Sequence, residues 1–397
     1  MNRREFLLTG TGAALMQPGA AWPALPGPAN ESALPGPADR PAPPGPANQS
    51  ALPRPATRPA PAARMHLGTQ QGPTTPQMLQ YFKRHGVEAI CGYPPDPGNR
   101  GYWTVEDLEK TRDLCQKHAI RLEMVALPLL TSSRVDHQGR GAILLAQDPQ
   151  RERDIEQVQK MIAACAKAGI PAFKYNLSLL GVLRTGSTPG RGGSRYSTWR
   201  LAEAREKPPL TRAGRVTEDV FWERITYFLD RIIPVCNEHR VRAACHPHDP
   251  GVPAQGFQGV VRVLGTPEGL KRLVSIQESP YHGLNFCVGT VAEMLRDPAR
   301  EIHDLVRYFG QRKKIVNVHF RNIRGRRDDF QEVYPDEGDL DMLQVARTLH
   351  EVQYQGMLMP DHVPSHPDDP GGLQAFAFAC GYIKGILQAV AGGHADR

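Results

Sequence analysis

Four residues able to bind a metal stand at the ends of short apolar runs in the second half of the chain. They are His246 in Cys245-His246-Pro247-His248-Asp249-Pro250, Cys287 in Asn285-Phe286-Cys287-Val288-Gly289, His319 in Asn317-Val318-His319-Phe320-Arg321, and Asp361 in Met359-Pro360-Asp361-His362. Two imidazoles, a thiolate and a carboxylate can hold one divalent transition metal, and a catalytic site leaves a position open for water or substrate. A single strand histidine is more often a packed core group, and a single buried cysteine a small hydrophobe. The argument therefore rests on four ligand types at matching ends of consecutive runs.

Side chains from distant parts of a chain converge in this way at one end of a barrel. Eight apolar runs read as strands: Met65–Thr69, Val87–Tyr93, Ile120–Pro128, Ala172–Leu179, Val241–His248, Leu284–Thr290, Ile315–Ile323 and Gly356–Val363. Helical patterns lie between and after them. Thr104, Asp148 and Thr266 are expected as N-caps, with Pro149 and Pro267 opening two helices. Helices are expected to stop at Gly86, Gly169 and Gly310. Eight strand–helix units in series predict a parallel (β/α)8 TIM barrel, with its chemistry at the C-terminal ends of the strands. The rival is an open doubly wound sheet, against which stands the lack of a glycine fingerprint after the first strand. Residues 181–216 form a long Gly/Arg/Ser/Thr-rich connection after the fourth strand, a length that points to function as a lid or clamp.

The barrel is expected over residues 65–392 of the 397-residue chain. Residues 1–24 carry Arg3-Arg4 before a short uncharged stretch, the pattern of a twin-arginine export signal and hence a periplasmic location. That stretch is too short and too rich in Gly and Pro for a stable membrane span. Residues 25–64 are a Pro/Ala-rich tether in which Gly-Pro-Ala-Asn recurs at 27–30 and 45–48. Net charge is +7, but the Lys and Arg are scattered and no nucleic-acid-binding module is present. Seven cysteines without a CxxC pair are no disulfide framework.

The strings His-Pro-His-Asp-Pro (246–250), Asn-Phe-Cys-Val-Gly (285–289), Val-His-Phe-Arg (318–321), Phe-Gln-Glu (330–332), Gly-Asp-Leu-Asp-Met (338–342) and Pro-Asp-His (360–362) resemble the D-mannonate dehydratase family. Lys174-Tyr175-Asn176 resembles that family's fourth-strand segment. The resemblance implies a xylose-isomerase-like TIM barrel that dehydrates a sugar acid to a 2-keto-3-deoxy sugar acid. It implies one divalent ion, Mn2+ first, with Fe2+, Co2+ or Zn2+ competing, held by His246, Cys287, His319 and Asp361. In that chemistry the ion acidifies the C2 proton of a chelated hydroxy acid, while a base and an acid move protons. His362, beside Asp361, is the first candidate for proton transfer, and Arg321 for pairing with a carboxylate. Tyr175, Asn176, His248 and Asp249 are candidates for binding substrate hydroxyls or orienting a ligand, and Glu123 is a weaker one. The strand-eight motif departs from the family pattern: Met359 stands where an Arg is usual. Two other functions fit the same barrel, a sugar isomerase or epimerase and a non-catalytic sugar-binding protein. An oligomer is compatible with the sequence.

Overall fold

The computed structural model describes residues 64–204 and 210–392. The export signal at 1–24 and the tether at 25–64, Arg64 apart, lie outside the described residues.

Among the described residues twelve strands follow in chain order: β1 (His66–Thr69), β2 (Ala89–Gly92), β3 (Arg121–Ala126), β4 (Ala172–Asn176), β5 (Gly186–Pro189), β6 (Arg195–Arg200), β7 (Arg242–His246), β8 (His282–Cys287), β9 (Ile315–His319), β10 (Ile323–Arg326), β11 (Asp329–Glu332) and β12 (Met357–Met359). Eight of them close into a parallel barrel in the order β1-β12-β9-β8-β7-β4-β3-β2. All eight expected runs supply one barrel strand each, so the (β/α)8 reading holds and the open sheet does not. The barrel strands β1, β2, β8, β9 and β12 are buried along their whole length, as expected where helices cover the outside and side chains fill the lumen.

Local signals fix several helix starts. Thr104 caps helix Val105–Lys117 through a reciprocal capping box with Asp107. Thr266 accepts from the Gly269 amide ahead of Pro267. Two expectations are corrected. Asp148 caps nothing: the helix begins at Gln150, and the Asp148 carboxylate pairs instead with Arg151 at 2.7 Å. Gly310 lies inside helix Pro298–Gln311, and Lys313 takes the positive φ. The last helix, Leu373–Gly392, is long and apolar enough to cross a membrane by length and composition. It packs on β1 and β12 instead, burying Ala375, Ala379, Cys380, Ile383, Ile386 and Val390.

The expected long loop is partly a sheet. β5 and β6 form an antiparallel hairpin, β10 and β11 a second, and β11 pairs with β6 to give a four-stranded sheet, β10-β11-β6-β5. The run read as one strand over 315–323 thus divides: β9 stays in the barrel, and the chain leaves it at Phe320 to begin β10. This second sheet joins the connection after β4 to the one after β9, both at the C-terminal end of the barrel.

Candidate metal centre and its charged surround

The barrel register brings the four ligand types to one level. Asn176 of β4 lies opposite His246 of β7, Cys287 of β8 opposite His319 of β9, and His319 opposite Met359 of β12, two residues before Asp361. One ligand atom from each of His246, Cys287, His319 and Asp361 lies within 4.8 Å of all the others, and all four residues are buried. The imidazoles of His246 and His319 are 5.1 Å apart by ring centre.

The surroundings prepare each donor. The Nδ1 of His246 lies 2.7 Å from the Pro247 carbonyl, which can only accept, so Nδ1 carries the proton and Nε2 keeps its lone pair. Gln70, just after β1, acts on His319. Lys174 Nζ donates to Gln70 Oε1 at 2.7 Å, so that oxygen is an acceptor; His319 Nε2 lies 2.8 Å from it and 3.0 Å from Asn285 Nδ2, and the shorter contact to the oxygen assigns the proton to Nε2. The lone pair of His319 is then on Nδ1, a buried atom with no hydrogen-bond partner, 3.2 Å from Asp361 Oδ1. An imidazole nitrogen fixed as an acceptor, buried and unpartnered, beside a thiol and a carboxylate, fits a metal ion. Burial, aided by His319 and Lys174, lowers His246 to about 3, and burial also lowers His319, so both imidazoles are neutral as ligands must be. Burial pushes the Cys287 thiol up, opposed by Arg321. The sulfur accepts from the Thr290 hydroxyl at 3.1 Å and amide at 3.4 Å, contacts suited to a thiolate. Asp361 is held well below the carboxylate range: burial opposes this, and the cationic neighbours His362 and Arg321 overcome it. Its Oδ1 accepts from Gln70 Nε2 at 2.9 Å and its Oδ2 from Arg321 Nε at 3.1 Å.

Beside this centre lies a buried ionic network. Arg321 reaches Asp361, Asp249 (2.9 Å), Glu293 (2.7 Å) and Glu332 (3.4 Å). Arg184, from the connection after β4, pairs with Asp249 at 2.6 Å, with Glu293 at 3.6 Å and with Glu332, and stacks on Phe330 of β11. His362 Nδ1 lies 2.6 Å from Glu332 Oε1. Burial opposes the His362 imidazolium, but Asp361 and Glu332 more than offset it and raise it to about 9. Glu332 is lowered to about 2 by Arg184, His362 and Arg321 against its burial. Glu293 goes the other way, to about 8, because burial outweighs its two guanidinium neighbours.

The structure brings some of the expected site residues together at the centre and places others elsewhere. Asn176 shares the lumen-facing side of β4 with Lys174, by strand alternation. Tyr175 faces the opposite way and packs on Phe228 and Phe173, so the candidate for substrate binding is a core aromatic. His248 is held by backbone at both ring nitrogens, Leu177 O at 2.7 Å and Leu264 N at 3.2 Å, and has no free edge for a hydroxyl. Asp249 is engaged by two arginines and Thr290. Arg321 is at the site but already faces four protein carboxylates, which removes it as the clamp for a substrate carboxylate. Glu123 pairs with His66 and Arg121 near the N-terminal end of the barrel, away from the metal centre. Sequence reasoning missed Gln70, Arg184 and Glu293. Gln70 and Arg184 had one available signal, a polar side chain in the connection just after a strand.

The D-mannonate dehydratase (UxuA) family model matches residues 195–396. Mannonate dehydratase from Thermotoga maritima is 29% identical over 346 residues, covering 77% of this chain and 91% of that protein. Mannonate dehydratase 2 from Halalkalibacterium halodurans is 26% identical over 352 residues, covering 80% and 97%. Among solved structures, mannonate dehydratase from Streptococcus suis serotype2 superposes with a TM-score of 0.72 at 24% identity, over 84% of this chain and 96% of that one. A D-tagatose 3-epimerase-like protein superposes with a TM-score of 0.52 at 15% identity. Both likenesses show the barrel fold, and the family match selects the sugar-acid dehydratases over the epimerases.

Proposed function

Since the chain belongs to the D-mannonate dehydratase family and is a sugar-acid hydro-lyase, we propose that its substrate is D-mannonate and its resident ion Mn2+. The observation that carries this is the convergence of His246, Cys287, His319 and Asp361 with their donor atoms within 4.8 Å of one another, in a chain of that family. Held by these four residues, a divalent ion would supply Lewis acidity toward the 2-hydroxy acid. The reaction removes the C2 proton, expels the 3-hydroxyl as water and leaves an enol that becomes the 2-keto acid.

The chain's own part is to orient the ligands and hold protons. Gln70 and the Pro247 carbonyl set the two histidine tautomers. Glu332, 2.6 Å from Nδ1, holds a proton on His362, which suits it as the acid that protonates the departing hydroxyl. Its Nδ1 faces Glu332, while its Nε2 lies 3.8 Å from Asp361 on the metal-centre side. Incubating the manganese-loaded protein with D-mannonate is expected to give a 2-keto acid, read by a colorimetric assay. Conversion of other aldonates but not D-mannonate would replace the substrate, and conversion of none would overturn the reading.

The Arg3-Arg4 segment supports a second part of the proposal, that the folded, metal-loaded barrel is exported to the periplasm. Fractionation of cells expressing the full chain tests it. Recovery in the periplasm, lost on Arg3→Lys/Arg4→Lys, is expected; recovery in the cytoplasm for both would end it.

A further inference from the structure

A sugar acid brings a carboxylate into the mouth, and an anion in a half-buried site needs a counter-charge; a divalent ion at the centre would have its two charges met by the Cys287 thiolate and the Asp361 carboxylate, so the substrate calls for a further cation. Arg184 and Arg321 cannot provide it, because each already faces several buried carboxylates. Arg262 is buried and donates to the carbonyls of Gly181 and Asp249. His362 is engaged by Glu332.

Lys174 differs from all of these. It lies on the lumen side of β4, half-buried, and its Nζ donates to the neutral Gln70 Oε1 at 2.7 Å. Among the described residues, none of the ion pairs within 4.0 Å involves Lys174. Its neighbours across the ladder are Ala126 on β3 and Ala244 on β7, so small side chains flank it on both strands. The apolar lumen residues of the barrel, Met124, Ala172, Ala244, Met357 and Met359 among them, supply no rival cation. Gln70 links the lysine to the metal centre, since the same amide contacts His319 and Asp361 at 2.8 Å and 2.9 Å.

We propose that Lys174 is the specificity-determining residue that recognises the carboxylate of the sugar acid, placing it beside the His246–Cys287–His319–Asp361 centre. This inference rests on the dehydratase reading above. An ammonium on a flexible stem suits the task, because it can leave Gln70 partly and donate its other hydrogens to an incoming oxygen.

The test uses the full metal-loaded chain with Lys174→Met, which keeps the length of the stem, and Lys174→Arg, which keeps the charge. Calorimetric binding of D-mannonate and of its neutral counterpart D-mannitol is measured alongside KM, kcat, metal content and melting temperature. Lys174→Met is expected to weaken D-mannonate binding and raise its KM at least tenfold, with D-mannitol binding and metal content unchanged. Lys174→Arg is expected to restore a large part of the D-mannonate affinity. An unchanged D-mannonate affinity in Lys174→Met overturns the proposal. So does an equal loss for the acid and the neutral polyol, which would make Lys174 a positioning residue for Gln70. If Lys174→Met does not fold, the arginine variant decides alone, because a charge-recognition role requires it to keep discriminating the acid from the polyol. A wild-type chain that converts sugar acids while Lys174→Met keeps its KM sinks this inference only; a wild type that converts none sinks the dehydratase reading with it.

Discussion

Two clusters of ionisable groups lie side by side at the mouth of the barrel, and they are built on opposite principles. The His246–Cys287–His319–Asp361 centre has donor atoms aimed at one another with lone pairs unclaimed, including a buried His319 Nδ1 without a partner. The Asp249–Glu293–Glu332–His362 cluster is closed by Arg184 and Arg321, and its carboxylates face guanidinium nitrogens. Electrostatically the first is incomplete without a cation, whereas the second has its cations built in. Residue type alone does not separate them, since both contain a histidine and a carboxylate. What separates them is which charges the chain supplies.

The difference is sharpest under mutation. Replacing a donor of the open centre, as in Cys287→Ala or His319→Ala, is expected to remove the bound metal and bring turnover to background, with melting of the metal-free protein little changed. Elemental analysis and calorimetry read both, and a stoichiometric metal in either variant would break the comparison. Removing a built-in cation should act on folding instead. Arg321→Met leaves the buried Asp249, Glu332 and Asp361 carboxylates short of a counter-charge, and loss of one partner of a buried pair costs about 3–5 kcal/mol. Denaturant unfolding of the metal-free chain measures it, and a loss near zero would show that the network contributes no stability. Gln70 sits between the two behaviours, since it touches two ligands without being one. Gln70→Leu is expected to lower metal affinity ~10–100-fold, the usual effect of losing a partner that orients a ligand, with a small change in melting.

The smallest effect belongs to the far end of the barrel, where His66 and Glu123 meet at 3.0 Å. Burial opposes the His66 imidazolium, but Glu123 raises it above 6.5. Its stabilising contribution is thus full below pH 6.5 and fades as pH rises through the raised value. The melting temperature of His66→Gln should fall below wild type by a few degrees at most near pH 6 and converge with it at alkaline pH, with turnover unaffected. A gap that widens with pH would reverse the sign of the argument.

The barrel was legible because each barrel strand falls in a short apolar run and the helices carry their own periodicity, several of them with a cap as well. The four candidate donors were legible because histidine, cysteine and aspartate stand at equivalent ends of those runs. Tyr175 and His248 were misread for a reason of parity and environment. Tyr175 is one step out of phase with Lys174 and Asn176, which alternation along a strand could have revealed. His248 is claimed by backbone from Leu177 and Leu264, which no local pattern announces. Arg184, Glu293 and Gln70 acquire meaning only when folding places them against Asp249, Arg321 and His319. The second sheet was hidden because β6 pairs with β11, from a connection three barrel strands later, and its Gly- and Arg-rich strands lack apolar alternation.

That sheet has a consequence for the order in which the protein matures. Its register sets Phe330 against Trp199, a pairing of very distant segments whose closure entropy is met only after the intervening β7, β8 and β9 are in place. Glu332 and the ring beneath Arg184 arrive with β11. A chain that has emerged only through β9 holds seven of its eight barrel strands and still lacks a finished rim, so competence to retain cargo at the mouth comes late in assembly rather than along the way.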